Sequence, residues 1–464
     1  MFLLQIKDFL NSVCEQIRYK PIRESISEEL KNHIEEIKEN YMQEGLQEEL
    51  AESEAIKQMG DSVEIGKKLN KIHRPKLDWK LVLIIGVLIC FGFLIAWIKT
   101  TNTVTTGEQL NYMLKFMVAF VIGIIASIFI YFFDYTKLKK YSKYFYLLAT
   151  IIIIVTLLFG AHINGIPYLS LGLGVTISAS TIAIPLYILA FIGFLMNTNQ
   201  ESKIQKILDD NNIKININLV KIIGLSILSL LLFFIIPSKV SILILGSVYL
   251  ILGTVKIWKT EENRKKKIFI LWSIVILLTL LSIFFYIGNA PYTIERIETW
   301  FHPENDPQGG GWLGINRNLI IQSAQVFGEA EDMSNAITLF DEGTNYAFIS
   351  ILAHYGWIVA IGVVALIILF SVKLIINSIQ IKDLYGKLLT IGIASMFILQ
   401  SIFNILMNLN LGMEANFNLP FVSYGGSSLV INMISLAIIL SVYRKKDIIV
   451  ILNNKNMSNT VEES

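Results

Sequence analysis

Two hydrophobic patterns divide the chain. From Trp79 onward, long apolar runs recur between short polar stretches, whereas residues 1–78 carry isolated apolar positions at helical spacing among charged ones. A run of about 17–25 apolar residues is long enough to cross a bilayer core as a helix. Such runs lie near 81–98, 113–133, 144–160, 175–196, 219–236, 240–257, 268–287, 346–371, 388–409 and 421–443. Continuous runs of this kind mean helices, because only helices and closed barrels satisfy every backbone group in lipid. The expected fold is all-α, a polytopic membrane protein with about ten transmembrane helices and a small N-terminal helical domain.

Within residues 1–78, Leu10, Val13, Cys14 and Ile17 form one apolar stripe. Ser25 followed by Glu28 reads as a capping box before a second helix, whose apolar face continues through Leu30, Ile34, Ile37 and Tyr41 to a stop at Gly45. A third segment spans Glu48 to Met59, and Gly60-Asp61 breaks it. AIKQMGDSVEIGKKLNKIHRPK resembles the short cytosolic prefix domain attached to various bacterial membrane proteins. The expected division is a prefix domain at 1–78, a membrane domain at 79–446 with a long outer loop at 288–345, and a tail at 447–464.

Composition agrees with a membrane protein: 54% of the 464 residues are hydrophobic and only 16% are charged. The net charge of +2 says little, but its distribution orients the chain. Lysines and arginines cluster in alternate connections: Lys137, Lys139, Lys140 and Lys143; Lys203, Lys206 and Lys214; Lys259 and Arg264 to Lys267; Lys373, Lys382 and Lys387; Arg444 to Lys446. With ten spans these fall on one side, which the positive-inside rule makes cytoplasmic along with both termini. The expected location is the bacterial plasma membrane, in contact with membrane lipids. The other side is expected to be nearly free of such cations. Clusters that alternate with spans report topology rather than nucleic-acid binding, so no nucleic-acid partner is expected. Cys14 and Cys90 are separated by domain and imply no disulfide framework. No Cys or His pattern suggests a metal, and no cofactor is expected.

Three stretches resemble the SEDS family, the RodA/FtsW/SpoVE group of bacterial cell-wall polymerases. RIETWFHPENDPQGGGW (296–312) fits the family's outer loop through Arg296, Trp300, Pro303, Asp306, Pro307, Gly309, Gly311 and Trp312, and Gln322-Ser323 fits the Gln-Ser that follows. PFVSYGGSS, from Pro420 to Ser428, matches the family signature almost letter for letter where the last span opens. Gln400, Asn404 and Asn408 recur every four residues on one face of the ninth span and resemble the polar face of the family's penultimate helix. The resemblance implies a role in peptidoglycan assembly, cell shape or division. It implies lipid II or a related polyprenyl-linked saccharide as ligand, and a single-span transpeptidase, a class B penicillin-binding protein, as partner. The implied substrate-binding residues are Arg296, Trp300, Asp306, Gln322, Asn345, Gln400, Asn404, Asn408, Pro420, Ser423, Tyr424, Gly425 and Gly426.

The chain also departs from the family. Asn345, in TNYAF, stands where the family has an Asp regarded as catalytic. Asn164-Gly165 is followed by IPYLSLG, without the family's cation, and ISASTIAIPL lacks the family's Glu and Lys of the fourth span. VFGEAED replaces a run of small residues after Gln-Ser. The family reaction joins lipid II disaccharides: a sugar hydroxyl loses a proton as it attacks an anomeric carbon, and a polyprenyl diphosphate leaves. That chemistry needs a carboxylate base and groups that stabilise the diphosphate. An amide is not a base, so Asp341 and Glu342, four and three residues before Asn345, are candidate stand-ins, although a helix N-cap is the favoured reading of Asp341. Arg296 suits either bidentate diphosphate binding or pairing with the local acids, and Arg317 is expected to pair with local acids. His162 and His302 read as solvated loop histidines, and His354 as a structural hydrogen-bonder within a span. The readings that follow are a glycosyltransferase relative, a catalytically inactive regulator of wall synthesis, and a translocator of lipid-linked precursor.

Overall fold

A computed structural model describes residues 3–73, 77–102, 112–163, 166–170, 176–197, 217–236, 238–260, 265, 267, 272, 298–299, 302–331, 344–412, 414 and 417–446. Two compact units emerge: Met1–Asp78 with Gln380–Leu384 and Val442–Ser464, and Trp79–Ile379 with Tyr385–Ser441.

The first unit contains α1 (Leu3–Gln16), α2 (Arg23–Gln43), α3 (Glu48–Met59) and α4 (Ser62–His73). Its core is the α1 stripe Phe9, Leu10, Val13 and Ile17, packed with Ile22, Ile26, Ile34 and Ala55. The Ser25 capping box does not form. A 3-10 turn with Pro21 near its start runs directly into α2, so Ser25 already lies inside the helix and is buried. At the other end the backbone leaves through Gly45 with φ 95°, a left-handed turn that glycine makes without a Cβ clash. Lys38 on α2 bonds Glu48 on α3 at 2.7 Å and approaches Glu52 at 3.8 Å. The Glu48 carboxyl is held below its ordinary value by the hydrogen bond and charge of Lys38, and Lys38 is pushed up by the same bond. Cys14 and Cys90 are free thiols.

The second unit is a multi-pass membrane bundle. Its helices are α5 (Trp79–Asn102), α6 (Tyr112–Phe132), α7 (Ser142–Phe159), α8 (Ala179–Met196), α9 (Ile217–Ile235), α10 (Lys239–Thr260), α11 (Trp312–Ser323), α12 (Ala347–Gln380), α13 (Leu384–Asn408) and α14 (Gly426–Arg444). Among the described residues, nine helices are long and apolar enough to cross a membrane. The run expected at 268–287 lies outside them, apart from Trp272. The outer faces expose large apolar side chains such as Ile125, Phe129 and Phe159, which suits lipid contact. Inside, polar groups pair between helices: Thr150 with Tyr187 at 3.0 Å, Tyr146 with the Leu225 carbonyl at 2.9 Å, and Ser229 with Tyr249 at 3.1 Å. Such pairing leaves few polar groups unsatisfied at bilayer depth.

Two details depart from a purely helical reading. Short antiparallel strands β1 (Ala161–Ile163), β2 (Ile166–Ser170) and β3 (Thr176–Ser178) form a small sheet before α8, with Ala161 opposite Tyr168 and Tyr168 opposite Ser178. The second is a break in α12 at Gly356 (φ 81°, ψ −179°), a backbone state reached almost only by glycine. There the segment after α11 supplies the missing partners. Trp357 N–H donates to the Gln325 carbonyl at 3.0 Å and Ile358 N–H to Val326 at 3.1 Å. Gly328 N–H donates to Tyr355 at 3.3 Å and Ala330 N–H to Ala353 at 2.7 Å. A broken helix at membrane depth survives only where other protein groups take over its hydrogen bonds, and this loop does so.

Candidate functional site

The site is built where the start of α12, the end of α13 and the signature before α14 meet. Asn404 and Asn408 lie one helical turn apart on α13 and are both fully buried. Asn404 Nδ2 donates to the Asn345 carbonyl at 2.9 Å and to the Phe417 carbonyl at 2.6 Å. Asn408 Nδ2 also reaches the Asn345 carbonyl at 3.1 Å, and its Oδ1 accepts from Ile349 N–H at 3.2 Å. The two asparagines thus hold the 3-10 turn Thr344–Tyr346 that leads into α12, and their amides are spent on backbone. Gln400, one turn deeper, is buried on the same face.

The signature is a turn before it is a helix. Leu419 N–H donates to Ser423 Oγ at 2.9 Å, and Ser423 N–H returns to the Leu419 carbonyl at 3.1 Å. Phe421 takes φ 65°, unusual for an aromatic, and its buried ring lies 5.7 Å from Phe370 and 5.5 Å from Phe397. That packing holds a conformation an isolated Phe would avoid. α14 then starts at Gly426 rather than at Phe421. A polar chain links the signature to the Asn345 turn. Thr344 Oγ1 donates to Asn418 Oδ1 at 2.6 Å, Asn418 Nδ2 to Ser428 Oγ at 2.7 Å, and Ser428 to the Gly425 carbonyl at 2.9 Å.

Arg317 on α11 is buried and ion-paired at 2.6 Å, with Glu414 from beyond α13 rather than with an acid of its own loop. It also donates to Asn410 Oδ1 at 3.1 Å, while Glu414 accepts from Tyr346 OH at 3.2 Å. Asn410 Nδ2 reaches the Gly314 carbonyl at 3.3 Å and Asn318 Oδ1 at 3.2 Å. α11 is therefore clamped to the turn after α13. Upstream of it, Asp306 is exposed and organises a turn. Its Oδ2 accepts from Gly310 N–H at 2.6 Å, and a Cβ on Gly311 would collide with the Pro303 carbonyl. Gln322 is exposed on α11. Among the described residues, no hydrogen bond brings Asp306 or Gln322 to the Asn345 turn. His302 is exposed 3.3 Å from Glu304, whose carboxyl is lowered chiefly by a backbone hydrogen bond. His354 Nδ1 pairs with the Ser350 carbonyl at 3.0 Å. Arg296, Trp300, Asp341 and Glu342 lie outside the described residues. Among the described residues, no group of three or more His, Cys, Asp or Glu could hold a metal ion.

Lys99 belongs to this neighbourhood and, with Arg317 and Lys115, departs from the expected scarcity of cations at this end of the bundle. It sits in the last turn of α5, is only 7% exposed, and donates to Tyr424 OH at 2.5 Å. Its ammonium lies 4.8 Å from the ring centres of both Tyr112 and Tyr424. Lys99 lines a small recess of about 10 Å³, shared with Ile95, Ile98, Tyr346, Ala347, Ser350 and Tyr424. A lone cation closing an apolar run was the available sequence signal; its burial against Tyr424 is a long-range contact that spacing cannot reveal.

A model of the FtsW/RodA/SpoVE family, described as "Cell cycle protein", matches residues 78–448. A protein of Thioalkalivibrio sp. (strain K90mix) named probable peptidoglycan glycosyltransferase FtsW is 26% identical over 167 residues, 34% of this chain and 41% of that one. A protein of the same name from Shewanella sediminis is 24% identical over 364 residues, 76% of this chain and 83% of that one. The matched stretch spans only 41%, 42% and 43% of the length of three such curated relatives. A chain of a solved peptidoglycan synthase complex shares the fold, with TM-score 0.60, 19% identity and coverage of 80% of this chain and 98% of that one. With its signature turn, polar α13 face and multi-pass bundle in place, the chain belongs to the FtsW/RodA/SpoVE family.

Proposed function

We propose that this chain acts in peptidoglycan assembly by binding lipid II, or a related polyprenyl-linked saccharide, as a relative of the family's glycosyltransferases. The observation that supports this most is the joining of the signature to the Asn345 turn through Thr344, Asn418 and Ser428. This network pre-positions the residues where the family places its reacting groups, and rigid positioning is what glycosyl transfer needs. Gln400, Pro420, Ser423, Tyr424, Gly425 and Gly426 line the ligand side in this reading, with Arg296, Trp300, Asp306 and Gln322 approaching from the outer loop. The proposed setting is the plasma membrane with both termini cytoplasmic, residues 1–78 forming a cytosolic domain, and a class B penicillin-binding protein as partner.

Catalysis is the open point of chemistry, because the Asn345 amide cannot take a proton from a sugar hydroxyl. Asp341 and Glu342 are the proposed stand-ins. A second reading, a binding protein that regulates wall synthesis without catalysis, is favoured by Asn345 itself, whose carbonyl is held by two buried asparagines. Purified chain is supplied with labelled lipid II, with and without the transpeptidase partner, and products are resolved by size. Glycan strands made by the native chain but not by Asp341→Ala or Glu342→Ala support the enzyme. Lipid II bound without polymer, with strands appearing on Asn345→Asp, supports the regulator. A chain that neither binds nor polymerises lipid II refutes both.

A further inference from the structure

We propose that Val326 and Phe327, in the segment between α11 and α12, insert into the bilayer and anchor that segment in the leaflet on the Asn345 side. The inference rests on the membrane bundle alone and stands whether or not the chain binds lipid II. Val326 is 69% exposed and Phe327 71% exposed, side by side in an irregular stretch of otherwise polar or small residues. Single exposed apolar side chains are ordinary, but two large neighbours joined to a longer apolar surface mark a contact.

The longer surface is the exposed stripe of α12. Ile358, Ile361, Ile368, Val372, Ile375 and Ile379 recur along it at helical spacing, the pattern of a helix face turned to lipid. Val326 and Phe327 continue this stripe past the break. Ile358 N–H donates to the Val326 carbonyl at 3.1 Å, and a Cβ on Gly356 would meet Phe327 Cα at 2.9 Å. Helix rise sets their depth. At helical rise Ile358 lies about 22 Å from the level of Lys373 and about 31 Å from that of Ile379. A hydrocarbon core is about 30 Å thick. Whichever of the two residues marks the far face, Ile358 and the pair beside it reach the near boundary of the core or lie just inside it. Irregular backbone is tolerated there only where its polar groups are paired. Gly328 and Ala330 N–H groups donate to α12 carbonyls, and the Gln325 and Val326 carbonyls accept from α12. Gln325, Glu329 and Glu331 are exposed around the pair and suit the headgroup region. A protein partner would need about 800 Å² of surface on this chain, and two side chains rimmed by these polar residues do not supply it.

The full chain, carrying Cys14→Ser and Cys90→Ser, is reconstituted in phosphatidylcholine bilayers with a nitroxide on one of Val326→Cys, Phe327→Cys, Ile368→Cys or Asn305→Cys. Collisions of the label with oxygen, which partitions into lipid, are compared with its collisions with a water-soluble nickel chelate. Labels at 326 and 327 are expected to favour oxygen as the label at 368 does, at a shallower depth, while the label at the exposed position 305 favours nickel. Nickel collisions at 327 as frequent as at 305 would place the pair in water. Few collisions with either reagent would mean that protein covers it. Either result overturns the anchor. Amide exchange in the same bilayers gives a second test. Phe327→Glu should speed labelling of Trp357 and Ile358 about tenfold, the effect of losing the burial of one such side chain. Phe327→Leu should keep the native rate. A native rate in Phe327→Glu, or equal acceleration in both variants, would overturn the anchor.

Discussion

Asn404 and Asn408 are the residues on which the arrangement of the site most depends. Each is fully buried, and together they satisfy carbonyls at Asn345 and Phe417 and an amide at Ile349. Removing the Asn404 amide takes the donor from the Phe417 carbonyl and leaves Asn345 with Asn408 alone. Asn404→Ala should therefore destabilise the protein by about 1–3 kcal/mol, a range set by unsatisfied buried polar groups. Interhelical hydrogen bonds in membranes are often weaker, so the lower end is expected. Thermal unfolding of the purified chain measures this, and an unchanged midpoint would contradict the role. The same residues show what spacing can tell and what it cannot. Their four-residue repeat announces a polar face on α13, but whether that face binds ligand or backbone depends on residues far away in sequence.

At the level of elements, α12 is the least regular helix and the one most dependent on a neighbour. A Cβ on Gly356 would meet the Gln325 carbonyl at 2.7 Å and Phe327 Cα at 2.9 Å, at a φ of 81° that alanine tolerates poorly. Gly356→Ala is expected to cost about 1–3 kcal/mol in backbone strain and to release residues 324–331. Limited proteolysis should then cut that segment faster than in the native chain; an equal rate would contradict the coupling. In α2 and α3 the Lys38–Glu48 pair sets a pH dependence. Glu48 is lowered from 4.5, so its contribution is present above that value and fades as the pH falls through the folded value. Lys38 is raised from 10.5, so its share is lost only as the pH rises beyond that. Amide exchange of α2 and α3, corrected for intrinsic rates, should lose protection below about pH 4.5 in the native chain. Lys38→Met should flatten that loss, and superimposable profiles would contradict the pairing.

On the scale of the whole molecule, the hydrophobic pattern carried most of the fold. Nine of the apolar runs are helices of spanning length among the described residues, because lipid leaves such a run no other solution. The β1–β3 sheet, the Gly356 break and the burial of Lys99 were not legible. Each depends on pairing between distant segments, and none leaves a period in the sequence. PFVSYGGSS was recognisable as letters, whereas the positive φ of Phe421 that shapes it comes from Phe370 and Phe397. The proposed topology makes its own prediction. In a chain freed of Cys14 and Cys90, a cysteine at Asn305 should react with a membrane-impermeant maleimide on intact cells. One at Lys446 should react only after lysis, and the reverse pattern would invert the molecule.

The loop-to-helix bonds at Gly356 also make a local clock. A membrane helix normally shields its own amides, so their exchange reports rare unfolding of the entire segment. Trp357 and Ile358 are different, since their acceptors are the carbonyls of Gln325 and Val326. Deuterium can enter those two positions each time residues 324–331 lift away, with the rest of α12 still intact. Their labelling rate therefore counts the excursions of the segment tethered at the α12 break, and a ligand or partner that quiets those excursions will slow it.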